Sequence, residues 1–315
     1  MLVDTCALAI LAYATTELRV GDSISRLYEA DDRETLVKIT EIMFESFKEG
    51  RGPLGKLFVR LSFAMGYGTT VDHVHALNHI CQKYPSIRVV ANSGVPRCTI
   101  FETQGKLFVV FRGSVSLVDW FYNFMLFQRP VNGCRVHQGF YRTLTSRDDD
   151  QDGESVQDVV EQCIRRFPDH NVYLTGHSLG GALAQLYAFL NEVPRPLVVH
   201  SFASPRVGDF AFKQYMEDHS LIRTTRVCLA NDMATGVSAI SMPFCRRYHH
   251  VTEETIVLKR GRVIRLNPWT RMFSCNWWRH LVWFAFPFSP LAHRYGLYYE
   301  RIYSHRLALR TPSLN

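Results

Sequence analysis

Residues 171–190 read NVYLTGHSLGGALAQLYAFL. A β-rich run, Asn171 to Thr175, leads into Gly176-His177-Ser178-Leu179-Gly180, and a run with Leu179, Leu183, Leu186, Tyr187 and Leu190 at helical spacing leads out. A G-x-S-x-G between a strand and a helix is a nucleophile elbow: a turn too tight for side chains at its flanks, which lifts the serine above the sheet edge. Gly176 and Gly180 clear that space, and Gly181, Ala182 and Ala184 let the helix approach the sheet. The helix N-terminus adds partial positive charge where an oxyanion would form. The bland alternative is a glycine-rich turn carrying a passive serine.

The chain has 315 residues, 47% hydrophobic and 13% aromatic, enough for a sizeable core. Repeats, low-complexity tracts and Pro/Gly/Ser-rich linkers are missing from the sequence, so residues 1–315 read as one α/β domain. The acidic run Asp148–Glu154 reads as a solvated loop. Eight cysteines (6, 81, 98, 134, 163, 228, 245, 275) are scattered without a C-x-x-C and read as small buried hydrophobes. No N-x-S/T sequon occurs, and Met1 to Val20 lacks a basic n-region and has an early Asp4, a poor signal peptide. An intracellular, cytoplasmic setting is expected.

The net charge of +7 is uneven. From Arg246 to Arg310 there are 12 Lys/Arg and 3 Asp/Glu, a surplus of nine, which leaves the rest slightly acidic. The same region holds Phe273, Trp277, Trp278, Trp283, Phe284, Phe286 and Phe288. Two readings stand side by side. The rings and arginines suit an anionic membrane or lipid-droplet surface; alternatively the rings fill a core and the arginines rim it. The apolar stretch Leu281–Phe288 is too short to span a bilayer. Without a recognition module, nucleic acid is not an expected partner.

Helices are expected at Leu8–Tyr13, Arg33–Phe47, Val71–Tyr84, Glu154–Phe167 and Tyr295–Leu309. Strands are expected at Thr99–Thr103 and Lys106–Phe111 (a hairpin over Gln104-Gly105), at 171–175, at Leu197–Ala203 and at Thr224–Leu229, with a late hairpin of Thr255–Leu258 and Arg262–Leu266. Strands alternating with helices around a central elbow imply a mostly parallel sheet wrapped by helices.

A serine hydroxyl needs a general base, itself oriented by a carboxylate. In α/β-hydrolases the order is Ser, acid, His. Asp232, first past the run Arg226–Leu229, fits the acid; its other reading is an Asx-turn carboxylate. Asp209 precedes a helix and reads better as an N-cap. The base lies among His249, His250, His280, His293 and His305. His249 and His250 follow Asp232 too soon, and His293, after the loop Pro287–Pro290, is best placed. Two oxyanion donors are needed: the Leu179 N–H, and Ser114 after the strand and tight turn Phe108–Gly113.

With four motifs in order, Val110–Ser114, Val136–Phe140, Thr175–Ala184 and Ser201–Asp209, the chain resembles the class 3 lipases, the fungal-type triacylglycerol lipases of the α/β-hydrolase superfamily. The likeness runs from about residue 70 to 300, with Ala7–Ala14 and Tyr248–Glu254 adding to it. The resemblance implies an α/β-hydrolase fold, a mostly parallel central sheet flanked by helices. It also implies Ser178 as nucleophile, Asp232 as acid, His293 as base, Ser114 and Leu179 as oxyanion hole, and a structural His250. Residues 115–128 match the family's lid, with Trp120, Phe121 and Phe124 in an apolar cover that meets substrate. Three departures stand out. Met233–Val237 replaces a proline-containing run, Thr252 stands where glycine is typical, and residues 269–292 hold an aromatic, basic segment without a family counterpart.

His75 and His79, spaced i, i+4, lack a third ligand, so no metal is expected and a solvent-facing helix surface is the reading. Gly176–Gly181 lacks the Lys-Ser/Thr of a phosphate loop. The expectation is a lipase that cleaves fatty-acyl esters of glycerolipids without a cofactor or obligate protein partner. A phospholipase A1 or a mono/diacylglycerol lipase is the alternative, and an inactive lipid-binding protein on the same fold is the rival from another class.

Overall fold

The computed structural model describes residues 1–28, 34–35, 37–38, 41, 70–93, 98–113, 127–147, 153–229, 232, 248–251, 254–259, 262–266 and 295–305. In chain order the elements are α1 (Leu2–Leu11), α2 (Thr70–Lys83), β1 (Arg88–Ser93), β2 (Cys98–Thr103), β3 (Lys106–Phe111), β4 (Gln128–Val131), β5 (Cys134–His137), α3 (Gln138–Thr145), α4 (Val156–Arg166), β6 (Asn171–His177), α5 (Leu179–Leu190), β7 (Leu197–Phe202), α6 (Phe210–Asp218), β8 (Ile222–Leu229), β9 (Glu254–Lys259), β10 (Arg262–Leu266) and α7 (Tyr295–Ser304).

Eight strands form one sheet in the order β1-β2-β3-β6-β7-β8-β9-β10, while β4 and β5 pair separately. From β3 through β9 every pairing is parallel; β1-β2, β2-β3 and β9-β10 are antiparallel. This is the expected α/β-hydrolase architecture of a mostly parallel sheet with helices on both sides.

Strand β3 shows why. Phe108 and Val110 pack with α1, α2 and α7, whereas Leu107, Val109 and Phe111 pack with α3 to α6. A strand covered on both faces must be apolar along its buried length, and after the half-buried Lys106 the sequence LFVVF is. Helix α1 is covered all round, with residues 4–11 buried, as a helix apolar on every side must be.

Several boundaries differ from expectation. Helix α1 begins six residues before the expected Leu8, because Asp4 and Thr5 are buried against partners rather than solvated. Helix α4 starts at Val156, where Ser155 and Asp158 form a capping box. Helix α7 ends at Ser304 rather than Leu309. Strand β1 and the β4-β5 hairpin were not expected. Of the Arg33–Phe47 helix, residues 34, 35, 37, 38 and 41 are described, and they are helical.

Cys6, Cys81, Cys98, Cys134, Cys163 and Cys228 are free thiols. Among the described residues no helix is long and apolar enough to cross a membrane. The 115–128 segment, apart from Phe127 and Gln128, and the whole of 269–292 lie outside the described residues; Gln128 opens β4.

Candidate active site

Ser178 sits between the end of β6 and the start of α5 at φ 57° and ψ −123°, a conformation that side chains other than glycine rarely adopt. Two neighbours hold it there. Its N–H donates to Phe202 O at 2.9 Å, on the adjacent β7, and its carbonyl accepts from Gly181 N at 3.1 Å. A β-carbon on Gly176 would run into the Gly180 backbone, and one on Gly180 into the Phe111 carbonyl. Close contact among β3, β6 and α5 therefore requires both glycines. The Leu179 N–H lies in the first turn of α5, where a helix offers no internal acceptor.

Beneath this bend lies the buried hydroxyl of Tyr13, 3.5 Å from His177 Nδ1 and hydrogen-bonded to the Gly113 backbone. A β-carbon on Gly113 would meet that hydroxyl, and the His177 carbonyl at 2.7 Å. Burial pushes the Tyr13 pKa up, partly opposed by the Arg112 cation, so its phenol stays protonated. The end of β3, the elbow and the segment after α1 thus meet at one point.

Asp232 lies buried just beyond β8, its N–H bonded to Leu229 O at 3.1 Å. Because β6, β7 and β8 are parallel, Asp232 and Ser178 leave the sheet at the same edge. The Tyr298 hydroxyl on α7 donates to Asp232 Oδ2 at 2.5 Å and accepts from the Leu229 N–H at 2.9 Å. The Tyr298 ring packs edge-on against His177, with centroids 5.6 Å apart. One tyrosine thereby joins the carboxylate to the residue before Ser178.

The rival carboxylate, Asp209, is the N-cap of α6, accepting from Phe212 N at 3.1 Å. His250 Nε2 lies 3.2 Å from Arg226 Nη2. Since guanidinium only donates, that nitrogen is the acceptor in the contact. His249 packs edge-on against Phe210. His293, His280, Ser114, Trp120, Phe121 and Phe124 lie outside the described residues.

One expectation needs correction. His79 is half-buried rather than solvent-facing: its Nε2 is 2.8 Å from Oδ1 of the buried Asp4, which also binds Lys83 Nζ and Tyr84 Oη. His75 is exposed as expected.

Sequence reasoning missed Tyr13 and Tyr298. Each sits in an apolar helix-like run, where a tyrosine reads as core, and only the third dimension reveals the polar partner of its hydroxyl. The signal for Tyr298 was its place in the run that follows His293.

Residues 108–242 match the class 3 lipases. A lipase of Rhizomucor miehei is 36% identical over 125 residues, covering 36% of this chain and 33% of its own length. A chloroplastic phospholipase A1 of Arabidopsis thaliana is 27% identical over 159 residues, 42% of this chain and 32% of its own. The chain thus spans about a third of the length of these curated relatives. A solved triacylglycerol lipase, described as having a serine protease triad as its catalytic centre, superimposes with a TM-score of 0.52 at 18% identity, covering 84% of this chain and 82% of that one. That likeness carries the fold alone. With the elbow and the strand order in agreement with that match, residues 108–242 are similar to the class 3 lipases, and the chain has an α/β-hydrolase fold.

Proposed function

We propose that this protein is a serine acyl-ester hydrolase, a lipase acting on glycerolipids. The observation that carries the reading is the conformation of Ser178, a non-glycine residue held at positive φ where a helix N-terminus meets a strand end. Such backbone strain costs about 1–3 kcal/mol, and it collects at functional sites. The Ser178 hydroxyl attacks the ester carbonyl and passes its proton to His293, which Asp232 orients. The Leu179 N–H and Ser114 hold the developing oxyanion. Collapse expels the alcohol, which takes the proton from His293. Water, deprotonated by His293, then releases the fatty acid from the acyl-enzyme. Trp120, Phe121 and Phe124 in segment 115–128 cover the acyl chain, and the enzyme works at a lipid surface.

The test is labelling with a fluorophosphonate probe together with hydrolysis of a soluble p-nitrophenyl ester. Wild type is expected to label and turn over, and Ser178→Ala to lose both. A folded wild-type protein that refuses the probe would instead support the inactive lipid-binding protein. Phospholipase A1 activity is the second reading, favoured by the likeness to the Arabidopsis thaliana phospholipase. A panel of triacyl-, diacyl-, monoacylglycerol and phosphatidylcholine substrates separates it from the first.

A further inference from the structure

Among the described residues, Tyr298 touches both the Asp232 carboxylate and the His177 ring beside Ser178. Its hydroxyl is fully used: it accepts from the Leu229 N–H at 2.9 Å, and its proton goes to Asp232 Oδ2 at 2.5 Å. The ring is completely buried in the α1-side core and cannot swing away. We propose that Tyr298 is the positioning residue of the acid, fixing both the rotamer of the Asp232 carboxylate and the share of its negative charge that reaches the general base. The proposal rests on the reading above, in which Asp232 is that acid.

A hydrogen bond from a neutral phenol to a carboxylate is charge-assisted and short. It draws electron density from the oxygen it binds, so the carboxylate stabilises an imidazolium less than a bare one would. The phenol is well suited to this task because it does not ionise: burial, then the charge of Asp232 and the neighbouring Cys228, push its pKa well above the usual tyrosine range. The titratable groups facing it are Asp232 and Cys228 at the end of β8 and His177 on β6. Arg226 stands behind Cys228, and Tyr13 behind His177. A phenylalanine would fill the same space. Only the hydroxyl distinguishes positioning from packing.

The full chain, assayed on a soluble short-chain p-nitrophenyl ester, provides the test. Tyr298→Phe is expected to lower kcat about tenfold with KM unchanged. The acid limb of its kcat/KM profile should move to higher pH, because the unshielded carboxylate holds the protonated base more strongly. Replacing Tyr298 with 3,5-difluorotyrosine, a stronger donor of the same shape, should move that limb to lower pH. This second replacement also serves if the phenylalanine variant fails to fold. In an Asp232→Asn background Tyr298→Phe should change kcat no further. The proposal is overturned by an unmoved limb in both replacements, or by an equal loss of kcat in both backgrounds, which marks a packing role. Wild-type kcat in Asp232→Asn alone instead sinks the assignment of the acid.

Discussion

At Ser178 backbone strain falls on the residue proposed as the nucleophile. Its φ of 57° and ψ of −123° suit glycine. Ser178→Gly should therefore be more stable than Ser178→Ala, the reverse of the usual order, by about 1 kcal/mol; both are inactive. Urea unfolding of the two variants checks this, and an alanine variant as stable as the glycine one would mean that the bend is unstrained. Gly180 poses the opposite problem. Gly180→Ala drives a β-carbon into the Phe111 carbonyl, a backbone atom that no rotamer change can move aside, and should cost about 3 kcal/mol. A loss under about 1 kcal/mol would show that α5 can slide on the sheet. The elbow was legible because its glycines and serine are adjacent in sequence and obey one steric rule. The Asp232 carboxylate was legible because it follows a β-branched run. Tyr298 was not, since nothing in Gly296–Ile302 marks which hydroxyl finds a carboxylate 66 residues upstream.

Among elements, α1 is tied to α2 through Asp4 and to the sheet through Thr5, by polar groups that a reading for apolar periodicity passes over. Burial opposes the charge on Asp4, but His79 and Lys83 outweigh it and hold its carboxyl below the usual range. Its stabilisation is complete above an unfolded pKa of about 3.9 and is lost as pH falls below that. Next to it, Thr5 Oγ1 lies 2.8 Å from His200 Nδ1 on β7, and burial depresses the His200 pKa from 6.5 to about 4. Between those two values the unfolded chain takes up a proton that the folded one refuses, so stability falls as the solution is acidified. The shift corresponds to about 3 kcal/mol. His200→Asn, which keeps a neutral partner for Thr5, should abolish that part of the slope in urea unfolding from pH 7 to 4. A variant with the wild-type slope would place the proton uptake elsewhere. Among turns, Gln104-Gly105 is legible as the β2-β3 hairpin, whereas Asn132-Gly133, with φ of 47° and 78°, forms the unexpected β4-β5 turn and is the stronger signal. Strand β1, RVVANS, is short and half exposed along its length, too faint a pattern to detect.

For the molecule as a whole, the alternation of strands and helices gave the parallel sheet, but not its order. That order brings β6 between β3 and β7 and sends β6, β7 and β8 out at one edge, the position where open α/β sheets bind ligands. The uneven charge bears on whether the protein binds a lipid surface. The nine-charge surplus between Arg246 and Arg310 surrounds seven Phe and Trp residues between Phe273 and Phe288, in a chain whose remainder is slightly acidic. A purely structural aromatic core would leave the arginines as a dispersed rim with no preference for lipid. A membrane-seated segment would add attraction of about 1 kcal/mol for each basic residue near an anionic surface. We expect the protein to co-sediment with phosphatidylserine-containing vesicles and not with pure phosphatidylcholine. Binding should weaken as salt rises from about 0.1 M to about 1 M, where the screening length shrinks from about 10 Å to about 3 Å. Exchanging Arg271 and Arg279 for glutamine should reduce binding while leaving hydrolysis of a soluble ester unchanged. Equal binding to both vesicle types would instead return the rings to the core and the arginines to solvent.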